Sequence, residues 1–409
     1  MFIDNLLFDA VSENTMSLNA LAINTSGKYN VEITKQGIDQ RYTPSAVKFI
    51  QALCGELLQE QFNHSIEVGW FTAFKRVLIK DSTKFDVSGN LAKQLPGSGG
   101  SASKAGVCIQ YEFDLKSGQV NDLSIGSSNC NDATDTMGTI AKVKEGDLII
   151  RDLGYSVLSC FKIINQKKAF YISRLRTGIL VYEKKDNDFV ELDFCNLYKV
   201  MTEGKIRRLD KKVFIGRVEK IPVRLIIDLM PEAEVNKRKR NTKAYNKKRG
   251  HTTSGKFMNR APFNLFITNI EETVLAPDVI TKIYKLRWQV ELIFKTWKSV
   301  FGVDNNNPMK YDRLMCLLNV RLLLILINWE LFMHKRWQLY EATGKLLSIT
   351  KCFKTLHEHS KELRHILTNN CDKLMNWIEM IAKLFESHHW LEKKKNKIGF
   401  VEIMTLNVL

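Results

Sequence analysis

Arg76-Val-Leu-Ile-Lys-Asp81 is a short apolar run closed by an acid. Its length and branched content predict a buried strand, because a core helix needs ten or more residues to present a periodic face. Working outward, Gly106-Val-Cys-Ile-Gln-Tyr-Glu-Phe-Asp-Leu115 reads as a second strand and Val120 to Ile125 as a third. Between the first two lies Pro96-Gly-Ser-Gly-Gly-Ser-Ala-Ser103, a small-residue loop that is either flexible or shaped for close approach to a nucleic-acid backbone. A short helix is predicted around Asp132 to Val143. Gly146-Asp-Leu-Ile-Ile-Arg-Asp152 is another apolar run ending in an acid, and Ala169 to Leu175 is a further strand. Strands, a helix and strands again describe a mixed α/β sheet.

Farther along, Tyr284-Lys-Leu-Arg287-Trp-Gln-Val-Glu291 continues to Lys298 in helical register. Ile283, Leu286, Val290, Phe294 and Trp297 recur at the spacing of a face packed on a core. Tyr284, Arg287, Glu291, Lys295 and Lys298 fall on one polar stripe. One acid flanked by cations and an aromatic hydroxyl suits phosphate binding beside a metal ligand. The stripe fits equally a solvated face with intrahelical ion pairs, and taken alone the segment favours that plainer reading.

Residues 1 to about 70 are predicted mostly helical, with Val31-Glu-Ile-Thr34-Lys-Gln-Gly37-Ile-Asp-Gln-Arg41 resembling a short helix, a turn and a second helix. Either a small DNA-binding unit or a plain helical hairpin fits this pattern. From about 176 to 260 the runs Ile179 to Tyr182, Lys212 to Val218 and Val223 to Leu229 look like strands with no helix between them. They end in Lys237-Arg238-Lys239-Arg240, Lys243 and Lys247-Lys248-Arg249, eight cations in thirteen residues. That run is expected to be a phosphate-contacting loop, with a solvated linker as the alternative. Pro262 to Thr268 returns to strand, Pro277 begins the helix that carries the polar stripe, and beyond Pro308 the chain reads as helical.

The chain has 409 residues, 44% of them hydrophobic, enough for two or three folding units. Its net charge of +17 calls for a polyanionic partner, most simply nucleic acid. The most apolar run, Cys316 to Phe332, is interrupted by Asn319, Arg321, Asn328 and Glu330 and reads as a buried helix, so no membrane partner is expected. The N-terminus lacks the pattern of a secretory signal, which implies a cytoplasmic location. Eight cysteines stand singly and are expected to be reduced core residues, without zinc.

Asp81 and Asp152 are read as ending two buried strands, where side chains meet at one edge of a sheet. Glu291 is the natural third acid from a helix across that edge. Hard oxygen donors without Cys or His suit Mg²⁺ or Mn²⁺, and a pair of such ions stabilises both the entering and leaving oxygens of a phosphoryl displacement.

Tyr284, Arg287, Glu291 and Lys298 reproduce the spacing Tyr, two residues, Arg, three residues, Glu, six residues, Lys. Together with Asp81-Ser82-Thr83 and Asp152-Leu-Gly154-Tyr155, they make the chain resemble the insertion-sequence-4 family of bacterial DDE transposases over about residues 75 to 335. The resemblance implies an RNase H-like α/β catalytic core, with Asp81, Asp152 and Glu291 holding two Mg²⁺ or Mn²⁺ ions. It implies that Tyr284, Arg287 and Lys298 grip phosphates of the terminal nucleotides. It also implies cut-and-paste transposition on double-stranded DNA, both transposon ends and target, by a homodimer on paired ends, and a nucleoid-associated place in a bacterium. The division it suggests is a helical, candidate DNA-binding region at 1–75, a first core part at 76–175, an inserted β-rich subdomain at 176–260, a second core part at 261–335 and a helical region at 336–409.

Relatives that pass through a hairpin hold a flipped base on an aromatic residue of the insertion, often Trp. None of the seven Trp lies between 176 and 260, so Tyr182, Phe189, Phe194, Tyr198, Phe214, Tyr245 or Phe257 would take that place. Two alternatives stand beside the active transposase: a catalytically inactive, transposase-derived DNA-binding protein, and an RNase H-like nuclease of other nucleic acids.

Overall fold

The computed structural model describes residues 2–10, 17–62, 64–99, 103–392 and 399–406. Among the described residues there are ten strands: β1 (Arg76–Asp86), β2 (Gly106–Asp114), β3 (Val120–Ser127), β4 (Asp147–Arg151), β5 (Phe170–Arg174), β6 (Val181–Lys185), β7 (Asp188–Glu191), β8 (Arg208–Ile215), β9 (Ile221–Leu229) and β10 (Phe263–Thr268). They form one mixed sheet in the order β3-β2-β1-β4-β5-β10-β9-β8-β6-β7. The β1–β4 and β4–β5 pairs are parallel, and β10 runs antiparallel to β5 and β9. Parallel neighbours need crossovers, and the helices Asp132–Thr139 and Leu158–Gln166 lie on the connections into β4 and β5.

The chain divides into two compact units, one of Met1–Glu67, Asp81–Cys130 and Trp288–Glu402, the other of Val68–Lys80, Asn131–Arg287 and Ile403–Leu409. In the second unit Ile149, Tyr171, Leu225, Ile227 and Ile267 from the strands meet Phe161 and Ile164 of the helix Leu158–Gln166 in one core. Strands β6 to β9 belong to the main sheet, so residues 176–260 extend it. That stretch is also less purely β than its sequence suggested. Phe194–Glu203 forms a helix capped by the Asp193 carboxylate, and Glu232–Lys248 forms another of 17 residues. The helix 194–203 buries Phe194, Leu197 and Met201, a pattern of three and four that the strand-like runs around it obscured.

In the first unit every residue of β2 is buried, including Gln110, Glu112 and Asp114, as expected of a strand covered on both faces. Tyr111 of β2 meets Trp297 and Trp329 edge to face, with ring centroids 4.9 and 6.1 Å apart. Trp329 donates from Nε1 to the Gly118 carbonyl at 2.7 Å. Gly118 has φ +81, and a Cβ there would sit 2.3 Å from Met333 Cε, so the turn into β3 requires glycine. Trp329 lies on the 33-residue helix Tyr311–Thr343, which is long and apolar enough to cross a membrane, but 83% of its apolar window is buried inside the protein.

Near the N-terminus, Ser17, Thr34 and Thr43 cap the helices Leu18–Tyr29, Lys35–Asp39 and Pro44–Gln59. Gly37 sits inside the second of these, not in a turn, because the Thr34 hydroxyl accepts its N–H and starts the helix one turn earlier than the glycine suggested. Gly100, Ser101 and Ala102 of the small-residue loop lie outside the described residues. Of the cysteines, all free, five are buried, whereas Cys195 and Cys371 are exposed.

Candidate active site

Parallel pairing of β1 with β4 runs from Arg76 opposite Asp147 to Lys80 opposite Arg151. The two aspartates are the next residues in sequence: Asp81 follows Lys80, and Asp152 follows Arg151. β4 ends there, but β1 does not, since it continues to Asp86. Asp81 therefore marks the end of the β4 pairing and not the end of its strand. It is half-buried, and one of its carboxylate oxygens accepts the Ser82 N–H at 2.8 Å.

Beyond Arg151 the backbone at Asp152 is extended and then closes a 3₁₀ turn over Leu153–Tyr155, with the Tyr155 N–H donating to the Asp152 carbonyl at 3.0 Å. Arg176 holds this turn from outside, its guanidinium donating to the carbonyls of Leu153 at 2.8 Å and Gly154 at 2.6 Å. Gly154 could carry no side chain, because a Cβ would lie 2.7 Å from Asp132 Oδ2. Neither Arg176 nor Asp132 is distinguishable in the sequence, where each is one charge among many.

The segment with the polar stripe is helical, as its periodicity predicted, and Ile283, Leu286, Val290, Phe294 and Trp297 are all buried. Its geometry changes along its length. Pro277–Ile283 is α-helical, Tyr284–Arg287 tightens to a 3₁₀ turn and Trp288–Phe301 is α-helical again. At three residues per turn, Tyr284 and Arg287 stack on the same side. Arg287 Nε comes to 3.7 Å from Asp152 Oδ1, a loose pair. Tyr284 is buried with its ring 5.3 Å from that of Phe266, and its hydroxyl lies 3.5 Å from the Arg151 carbonyl. Burial first, and then the Asp152 carboxylate, push its phenol up to about 12, so it remains a neutral donor. Asp152, Tyr284 and Arg287 are thus brought together, with Tyr284 buttressing the strand end.

In the other unit Glu291 and Lys298 are half-buried on the helix Trp288–Phe301, and Lys298 Nζ lies 3.4 Å from the Lys84 carbonyl, three residues past Asp81. Lys295 is exposed. Among the described residues no group of three or more His, Cys, Asp or Glu forms a metal cage. The candidate donors Asp81, Asp152 and Glu291 are nevertheless carboxylates with partial exposure, and Asp152 is not locked by a close ion pair, which suits a hard divalent cation.

The basic run is helical and not a loop. Lys237, Arg240, Lys243, Lys247, Lys248 and Arg249 are exposed and Lys239 is half-buried. Arg238 departs from the expected phosphate contact, because its guanidinium turns inward to donate to the carbonyls of Ala261 at 3.2 Å and Phe263 at 2.8 Å and to Asn264 Oδ1 at 2.6 Å. Helical periodicity explains this: Val235, Arg238, Thr242 and Asn246 share the face turned to the protein. Of the aromatic residues of 176–260, Phe189, Tyr198 and Tyr245 are exposed, while Lys220 Nζ sits 3.6 Å over the Tyr182 ring.

Residues 72–327 match the family described as Transposase DDE domain. The chain is 30% identical over 381 residues to the transposase for insertion sequence element IS231C of Bacillus thuringiensis subsp. berliner, covering 88% of this chain and 80% of that protein. It is 28% identical over 365 residues to the transposase for insertion sequence element IS1151 of Clostridium perfringens, covering 85% and 77%. A cryo-EM structure of the piggyBac transposase synaptic complex with hairpin DNA aligns with 98% of this chain and 77% of its own, at a TM-score of 0.45 and 10% identity.

Proposed function

The chain belongs to the transposase DDE domain family and is a DNA transposase, and from that premise we propose that it cuts and rejoins DNA at the inverted terminal repeats of an insertion sequence through Asp81, Asp152 and Glu291. The observation that carries this reading is the register of β1 on β4, whose last pair is Lys80 and Arg151, each followed in sequence by an aspartate. Glu291 completes the set from the helix whose preceding turn brings Arg287 to Asp152.

Mg²⁺ or Mn²⁺, two ions in this reading, would supply Lewis acidity toward the attacking oxygen and the phosphodiester. Asp81, Asp152 and Glu291 would hold them. Arg287 orients the Asp152 carboxylate and offers a planar fork that matches a phosphate. Tyr284 fixes the strand end behind it, and Lys298 contributes a point charge. The exposed cations of the helix Glu232–Lys248 line the DNA path. The finer assignment is to the insertion-sequence-4 family, with an RNase H-like core around β1 to β5, an insertion at 176–260 that extends the sheet, a homodimer on paired ends and a cytoplasmic, nucleoid-associated place in the cell. Should cleavage pass through a hairpin, Phe189, Tyr198 and Tyr245 are the exposed aromatic residues of that stretch suited to stacking.

The test is an end-cleavage assay on a plasmid carrying the terminal repeats that bracket the gene. Cleavage is expected in Mg²⁺ or Mn²⁺ and none in excess EDTA. Undiminished cleavage in EDTA would overturn the metal-dependent mechanism.

A further inference from the structure

Within the unit that holds Glu291, a cleft of about 380 Å³ is lined by the N-terminal helices, the 305–309 loop and the start of the helix Tyr311–Thr343. Among the described residues its polar lining consists of cations and neutral groups, among them Lys35, Arg313, Arg321, Asn19, Asn305 and Asn307, with no Asp or Glu. Arg321 is 2% exposed. Its Nη1 donates to Asn306 Oδ1 at 2.7 Å and its Nη2 to the Asn305 carbonyl at 3.3 Å, while its Nε finds no acceptor among the described residues. Arg313 lies with its guanidinium carbon 5.5 Å from the centre of the Tyr42 ring, and its Nε likewise has no acceptor. The acid that acts on Arg321 is Asp304, which is exposed.

A guanidinium buried among neutral oxygens is costly unless an anion completes its pairing. Buried Arg321 and half-buried Arg313, with an exposed lysine and amide donors around one open cavity, form a ready-made receptor for a tetrahedral oxyanion. We propose that this cleft binds a phosphate group, carried either by the backbone of bound DNA or by a free phosphate. The site shares no residue with the acids or with the signature segment, so its failure would leave the catalytic reading standing.

The full-length protein would be melted in inorganic phosphate and in chloride at matched ionic strength, and titrated with a random-sequence DNA duplex at several salt concentrations. Phosphate is expected to raise the melting temperature by about 2–4 °C, a rise lost in Lys35→Gln and Arg313→Gln. These positions are less buried than Arg321 and are chosen so that folding survives. If the phosphate belongs to DNA, each substitution also lowers the log–log salt slope of duplex binding by about 0.9. A lowered slope, with or without the melting effect, assigns the site to the DNA backbone, and a lost melting effect with an unchanged slope assigns it to free phosphate. Slopes unchanged in both variants, together with either no phosphate effect or one equal to that of wild type, would overturn the proposal.

Discussion

Arg287 Nε stands 3.7 Å from Asp152 Oδ1, linking the turn before the helix of Glu291 to the end of β4. The separation is too long for a locked ion pair yet short enough to orient the carboxylate. A lysine there would keep the charge and lose the planar fork. Arg287→Lys is therefore expected to slow end cleavage about 10–100-fold, the usual cost of losing a group that orients a metal ligand, while duplex binding changes little. Wild-type cleavage by this variant would remove Arg287 from the site.

Asp81→Ala, Asp152→Ala and Glu291→Ala should each abolish strand cleavage in Mg²⁺ and leave duplex binding largely intact, since the three acids add nothing attractive to a phosphate backbone. A gel assay of cleavage beside a filter-binding assay separates the two effects. Substantial cleavage by any one of the three would break the set.

The distribution of these residues shows what the sequence could disclose. Val77 to Ile79 and Leu148 to Ile150 are buried on both faces, so they appear as unbroken apolar runs, and the acids that follow them were visible at once. The buried stripe of 283–297 was equally legible. What escaped depended on the third dimension. The 3₁₀ turn at Tyr284–Arg287 has no composition that distinguishes it from α-helix, and Arg176 acquires its task only because β5 delivers it beside the turn after β4. The basic run was misread as a loop because a helix with one buried apolar residue, Val235, has almost no hydrophobic periodicity to detect.

That helix separates two kinds of cation. Lys237, Arg240, Lys243 and Lys247 are exposed, so neutralising each should lower the salt slope of DNA binding by about 0.9 if it contacts a phosphate. Arg238 should behave differently. Arg238→Ala strips charged hydrogen bonds from two carbonyls and Asn264, and is expected to cost about 2–3 kcal/mol of stability without changing the slope. A lowered slope in a variant with an unaltered melting temperature would show that Arg238 contacts DNA after all.

Alkaline pH tests the burial of the tyrosines. Tyr42 and Tyr284 are both pushed up to about 12, chiefly by burial, from the ordinary phenol value of 10.0. The folded state thus keeps protons that the unfolded state has released. Their contribution is complete below pH 10 and is lost as the pH rises from there through 12. Tyr284→Phe should flatten the fall in melting temperature between pH 10 and 12 relative to wild type. An identical fall would mean that Tyr284 is not held neutral by the fold.

Lys80 is the last residue of β1 before Asp81, and its side chain is fully buried. Its Nζ meets Asp135 Oδ2 at 2.6 Å, with Thr139 Oγ1 at 3.3 Å, so the pair ties the helix Asp132–Thr139 to the strand just ahead of the first acid. Removing one partner takes a 2.6 Å ion pair from the other, whose charge stays buried. Asp135→Ala is therefore expected to destabilise by about 3–5 kcal/mol, whereas Lys80→Met combined with Asp135→Leu should recover most of that loss, because a packed apolar pair needs no charge compensation. Denaturant unfolding of the single and double variants measures the difference. A double variant no more stable than Asp135→Ala would mean that the charges themselves, and not their pairing, hold this helix on β1.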